Sequence, residues 1–125
     1  MPAAGRVLNT ATRKPLCEAL EVARTPAQRA RGLMFRSSLQ GGLLFRFPAA
    51  GRHRFWTVGM RFPIDILWLD PAGRVVHLKE HAQPWRFAGG PPAPASQVLE
   101  LPAGRIASSG TRVGHILALP VSRKL

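Results

Sequence analysis

Twelve prolines and twelve glycines cut this 125-residue chain into short segments, and that punctuation constrains the fold more than any other feature. Proline interrupts a helix interior and a central strand alike, because it lacks an N–H and its ring clashes with the preceding turn. Short apolar runs separated by Gly and Pro turns are the pattern of an all-β architecture. No repeat at solenoid or propeller periods is visible. The expected fold is mainly β: a single compact antiparallel β-barrel or β-sandwich of about seven or eight strands with one short helix. The chain is long enough to bury a core without disulfide or metal support. One domain is expected over residues 1–125, with its core at about 16–120 and a flexible N-terminus and C-terminal tail.

Strands are expected at residues 7–11, 16–23, 43–47, 54–58, 64–69, 74–81, 97–101 and 116–119. Residues 64–69 carry apolar side chains on both faces, so that strand should be central. The clearest helix start is Thr25-Pro26-Ala27-Gln28: an N-cap, a proline at the first helical position and a capping-box glutamine. That helix should run to about Leu33, weakened near its end by Gly32. Residues 48–52 read as a turn and 59–63 as a bend. Asp70-Pro71-Ala72-Gly73 has the chemistry of a tight turn and predicts a hairpin. Residues 88–96, with three prolines and two glycines, read as a mobile loop.

The charge balance is +12, from 18 basic and 6 acidic residues. Such a balance suggests affinity for polyanions, and nucleic acid is one possible partner class. The basic residues are mostly arginine, spread from Arg6 to Arg123 without a run. That usage also follows from GC-rich coding, and a generally basic surface is favoured over a dedicated groove. The single cysteine, Cys17, cannot form an internal disulfide and is expected as a small apolar side chain on a strand. No signal-peptide pattern and no membrane-length apolar run is present, so a cytoplasmic location without membrane association is expected.

Motifs for familiar chemistries are missing. There is no CxxC, HExxH, P-loop, dinucleotide fingerprint or G-x-S-x-G elbow. His77 and His81 stand at i, i+4, but on a strand that separates them by ~13 Å at ~3.3 Å per residue, too far to share a metal. No metal site and no cofactor are expected.

Asp65 is the most unusual residue, a carboxylate inside the apolar run Phe62-Pro63-Ile64-Asp65-Ile66-Leu67-Trp68. A buried charge costs several kcal/mol unless it is paired or hydrogen-bonded. Asp65 is therefore either a general acid/base or ligand-binding group, or a structural one. The structural alternatives are an ion pair with Arg29, Arg61 or Arg105, or acceptance of backbone N–H bonds near the 59–63 bend. Glu100 poses the same question within Val98-Leu99-Glu100-Leu101, where strand alternation would let it face water or an arginine. Trp56 and Trp85 adjoin loops and can line a cleft.

Four blocks together resemble a known family: Arg29-Ala30-Arg31-Gly32-Leu33-Met34, Gly42-Leu43-Leu44-Phe45, the stretch from Phe55 to Ile66, and Val98-Leu99-Glu100-Leu101-Pro102-Ala103-Gly104. In this order they resemble the domain of unknown function 192 family, also called uncharacterised protein family 0127. The resemblance runs from Ala19 to about Leu119. It implies a β-rich fold with little helix and supplies no activity. Where many relatives carry tryptophan-methionine-x-asparagine-threonine, this chain has Trp56-Thr57-Val58-Gly59-Met60. A common glycine-aspartate near the end reads Gly114-His115 here.

Three functions are expected in turn. The first is a binding module for a small polar or anionic ligand or a partner peptide. Its ligand-binding candidates are Arg29, Trp56, Met60, Arg61, Asp65 and Trp85, roofed by residues 88–96. The second is a carboxylate-dependent hydrolase or lyase, with Asp65 and Glu100 as catalytic candidates. The third is a basic nucleic-acid-binding domain.

Overall fold

A computed structural model describes residues 3–34, 36–53, 55–90 and 93–120. The elements in chain order are β1 (Ala3–Ala4), β2 (Val7–Asn9), β3 (Pro15–Cys17), β4 (Leu20–Ala23), α1 (Pro26–Arg31), β5 (Gly42–Gly51) and β6 (Phe55–Trp56). They continue with β7 (Ile64–Leu69), β8 (Val75–Ala82), β9 (Phe87–Gly89), β10 (Ala95–Pro102), α2 (Arg105–Ser109) and β11 (Leu117–Ala118). Eight of these strands have three residues or more, and the other three are two-residue pairings.

Six strands form one sheet in the order β1-β4-β5-β10-β7-β8. A small sheet, β11-β2-β3, packs over one of its faces, which makes the fold sandwich-like. Among the described residues the large sheet ends at β1 and β8 rather than closing, so the barrel alternative is set aside. The antiparallel expectation fails at one pair: β4 and β5 run parallel, because α1 supplies a crossover between them.

All six residues of β7 are buried, and β7 lies between β10 and β8. Alternation along the strands gives the sheet two apolar faces. Leu44, Leu67, Leu69, Leu99 and Leu101 meet Val7, Leu16, Cys17 and Leu117 of the small sheet. Leu43, Phe45, Ile64, Ile66, Trp68 and Val98 form the opposite face, covered by Leu33, Leu39 and Met60. Each fully buried side chain of this kind contributes about 1.5–3 kcal/mol. Val7 is fully buried, so the packed core reaches further toward the N-terminus than residue 16. Residues 121–125, the expected flexible tail, lie outside the described residues.

Several expected boundaries move for identifiable reasons. The strand expected at 16–23 breaks at Glu18-Ala19, where the chain passes from the small sheet to the large one. Gly41 sits against that switch: Gly42 N–H donates to Ala19 O at 3.0 Å, and a Cβ on Gly41 would meet that oxygen at 1.8 Å. β5 continues through Pro48 instead of stopping before it. Its register against β10 jumps from Arg46↔Gln97 to Gly51↔Ala95, so Pro48, Ala49 and Ala50 form an exposed bulge in place of the expected turn. The strand expected at 54–58 is reduced to β6, with Arg54 outside the described residues. The loop expected at 88–96 is strand at both ends: β9 pairs with β6 up to Gly89, and Ala95 opens β10. Pro91 and Pro92 lie outside the described residues. The hairpin over Asp70-Pro71-Ala72-Gly73 forms as expected, with Gly73 N–H donating to Asp70 O at 3.0 Å.

The crossing at Ala19 is testable. Gly41→Ala should lower stability by about 2–3 kcal/mol, at the upper end of overpacking costs, because the obstructing atom is backbone. A urea midpoint that does not move would contradict this packing.

Candidate functional site

The two acids singled out in the sequence have opposite surroundings. Asp65, on β7, is 0% exposed. Its Oδ1 accepts from His81 N–H at 2.9 Å, and its Oδ2 accepts from Gly104 N–H at 3.1 Å and Ile106 N–H at 2.8 Å. It thereby ties β8 to the start of α2. That helix has no side-chain cap of its own, since its N-cap is Gly104 in the left-handed region at φ 99. Asp65 replaces the cap from 41 residues away in sequence. The expected pairing with Arg29, Arg61 or Arg105 is absent among the described residues, and the donors are not those of the 59–63 bend.

Register also separates the two acids. Asp65 pairs with Leu101, while Glu100 pairs with Ile66, so their side chains leave opposite faces of the sheet. They cannot flank one substrate, and the paired-carboxylate hydrolase expected from the sequence is withdrawn on that geometry.

Glu100 lies on the face covered by α1. The helix starts through a complete capping box: Gln28 N–H donates to Thr25 Oγ1 at 3.1 Å, and Thr25 N–H to Gln28 Oε1 at 3.3 Å. It ends at Gly32, whose φ is +46 and where a Cβ would come within 3.1 Å of the Phe45 ring. The chain then descends through Leu33 and Met34. From the other side, Thr57 fixes the segment that carries Met60. Thr57 Oγ1 lies 2.5 Å from Gln83 O, accepts from Arg86 N–H at 2.8 Å, and Thr57 O accepts from Met60 N–H at 3.2 Å.

Between these segments is an open cavity of about 360 Å³, lined by residues 29–34, Phe45, Val58, Met60 and Glu100. Its volume is in the range of small-molecule sites. Glu100 is only 3% exposed. Its carboxyl borders the open cavity and makes no hydrogen bond or ion pair to another described residue. Burial pushes its pKa up from 4.5 to about 8, so the group is largely protonated at neutral pH.

The remaining candidates fall into two groups. Arg29 and Met60 line the cavity with Glu100. Arg29 is held rigidly: its Nη1 donates to Arg24 O at 2.6 Å and to Arg46 O at 3.1 Å, and its guanidinium lies 5.4 Å from the Phe47 ring centroid. Arg61 is exposed and does not line the cavity. Trp85 is 64% exposed, with φ +60 and its N–H bonded to Thr57 O at 2.9 Å. Trp56 belongs to β6, and its side chain lies outside what is described. Cys17 is buried in the core, and burial pushes its thiol pKa up, as suits an inert side chain.

A second cavity of about 340 Å³ lies near the β7–β8 turn and β11. Its polar side chains are tied together: Arg46 Nε donates to Gln97 Oε1 at 3.1 Å, and Gln97 Nε2 to Asp70 O at 3.0 Å. Among the described residues no group of three or more His, Cys, Asp or Glu side chains could hold a metal ion. No described helix is long and apolar enough to cross a membrane.

The model of the DUF192 family, described as an uncharacterized ACR, matches residues 7–119. The chain belongs to this family. A UPF0127 protein of Thermococcus gammatolerans is 34% identical over 110 residues, covering 84% of this chain and 69% of the relative. A UPF0127 protein of Thermococcus sibiricus is 34% identical over 100 residues, covering 76% of this chain; the chain thus spans 62% of that relative, less than two thirds of it. Among solved structures, a protein of unknown function from Novosphingobium aromaticivorans superposes with a TM-score of 0.77 at 27% identity, over 91% of this chain and 82% of that one. A protein of Sinorhizobium meliloti, named as a candidate transcription regulator, superposes with a TM-score of 0.82 at 28% identity, over 93% and 92%. These likenesses give the DUF192 chain a family and a fold and leave its activity unassigned.

A signal for the burial of Glu100 does exist in the sequence. Val98, Leu99 and Leu101 occupy both faces of a strand, as in β7, which marks the strand as covered on both sides and its glutamate as buried.

Two outcomes follow from the contrast between the acids. Asp65→Asn replaces two accepting oxygens by one and places an NH2 against backbone donors. It should cost about 3 kcal/mol in urea unfolding; a wild-type midpoint would contradict the capping role. For Glu100 the folded pKa is raised, so stability is greatest below pH 4.5 as far as this group is concerned. It should then fall by roughly a few kcal/mol as pH rises toward about 8. Glu100→Gln should flatten that slope; an unchanged slope would contradict the raised pKa.

Proposed function

We propose that this DUF192 domain is a binding module whose site is the cavity over Glu100. Its ligand is a small molecule, or a side chain of a partner peptide, with an apolar body and one polar head directed at the carboxyl. The observation that carries this reading is a buried carboxyl facing a cavity, with no hydrogen-bond partner among the described residues. A ligand that hydrogen-bonds the carboxyl does so in a low-dielectric cleft, where such a bond is stronger than in water. Groups with perturbed pKa values in clefts cluster at functional sites. The walls contributed by Leu33, Phe45, Val58 and Met60 suit an apolar body, and Met34 and Met60 can repack around different shapes.

The name of the Sinorhizobium neighbour bears on the nucleic-acid reading. That reading is less well supported here. α1 and α2 have six and five residues, or ~9 and ~8 Å at ~1.5 Å per residue, and neither has the length of a groove-reading helix.

Methionine methyl resonances report on the site whatever the natural ligand is. In protein labelled with ¹³C-methyl methionine, the Met34 and Met60 signals should shift on titration with short-chain aliphatic acids, alcohols or amines. Glu100→Leu should weaken the best of these probes at least tenfold. Methyl signals unmoved by every probe would refute the site.

A further inference from the structure

We infer that the polar head taken by the Glu100 cavity is a carboxylate, carried on a short aliphatic chain, and that Arg31 closes on it from the rim. This inference rests on the binding reading above and gives that site its ligand class.

The argument starts from the ionisable side chains that line the cavity. They are one acid, Glu100, and two bases, Arg29 and Arg31. The sheet neighbours on either side of Glu100 are Leu43 and Ile66, neither of which titrates. Beyond them on the same rows stand Glu21 and Lys79, each two strands away, or ~10 Å at ~4.8 Å per strand. Glu21 is held by Arg36 at 2.6 Å, and Lys79 is exposed. Val58 and Met60, on the facing segment, carry no charge. With its acid protonated, the cavity is therefore a positively biased site with one hydroxyl donor at its base.

An ammonium head fits this poorly. It would have to ionise Glu100 inside an apolar pocket while facing two guanidinium groups. An alcohol would satisfy the acid and leave the arginines unused. A carboxylate uses both features. The Glu100 O–H donates to one of its oxygens in a charge-assisted bond, which is about twice as strong as a neutral one. Its other oxygen is left for a guanidinium. Arg29 is fixed by its two carbonyl bonds. Arg31, in the last turn of α1, is exposed, and its side chain makes no hydrogen bond or ion pair among the described residues, so it can swing to the ligand. The aliphatic chain then lies against Met34, Phe45 and Met60.

Proton linkage follows. Only protonated Glu100 can donate, so carboxylate affinity should be flat near neutral pH and fall about tenfold per pH unit above its pKa of about 8.

The test titrates hexanoate, hexanol and hexylamine into ¹³C-methionine-labelled protein between pH 6 and 9.5. The expected result is Met34 and Met60 shifts with hexanoate at the lowest concentration and weakening above pH 8. In Glu100→Gln, whose amide still donates, hexanoate should bind with no fall at high pH. Arg31→Glu, an exposed change that leaves the melting temperature in place, should weaken hexanoate at least tenfold. Preference for hexylamine or hexanol, or hexanoate binding that ignores both pH and Arg31→Glu, would overturn the carboxylate assignment and leave the site standing. Failure of all three probes to move either methyl would overturn both.

Discussion

Burial on both faces of the two central strands is the constraint on which the rest of the structure depends. Every residue of β7 is buried, and so are those of β10 from Gln97 to Leu101. A polar group on either strand must be satisfied inside the protein or held at a cavity, because water does not reach it freely. Asp65 and Glu100 are the two acids caught in this position, and they meet it in opposite ways. Asp65 collects three backbone N–H groups and becomes a joint between β7, β8 and α2. Glu100 collects none among the described residues and keeps its proton.

That difference locates the proposed site. A fully buried carboxylate already holding three backbone donors, and lining neither cavity, has little to offer a ligand, however unusual it looks in the sequence. A neutral acid with unused capacity at the base of an apolar cleft has more. The parallel β4–β5 pair matters for the same reason. The crossover that it requires brings α1 across the sheet and sets Arg29, Arg31 and Met34 over Glu100. Thr57 anchors the opposite wall through backbone groups of residues 83–86. The cleft is thus framed by a capped helix and a stapled turn on a rigid sheet, the arrangement that favours a preformed site.

Much of the fold is legible in the residues. The Pro and Gly spacing indicates a mainly β fold, the 25–28 capping box indicates α1, and the turn at 70–73 indicates the central hairpin. The losses share a cause, which is that the deciding partner is remote in sequence. α2 has no local start signal because its cap is Asp65. The strand at 16–23 breaks because Gly41 abuts Ala19. Pro48 is tolerated because β10 accommodates a bulge beside it. The candidate site is legible only in part. Arg29 and Met60, grouped from the sequence, line one cavity, while Asp65, Arg61 and Trp85 stand away from it. An apolar run draws attention to Asp65, but isolation in such a run does not reveal where the backbone donors lie. The apolar neighbours of Glu100 mark its strand as covered on both faces, but they do not reveal the cavity left beside it under α1.

The most direct test of this account is the titration of Glu100 itself. The side-chain carboxyl carbon, assigned by comparison with Glu100→Gln, can be followed by ¹³C NMR across the pH range in the ligand-free protein. The account predicts a midpoint near 8, set by burial without a partner. A midpoint in the ordinary glutamate range, near 4.5, would mean that the carboxyl is solvated or paired, and it would contradict the site built around it.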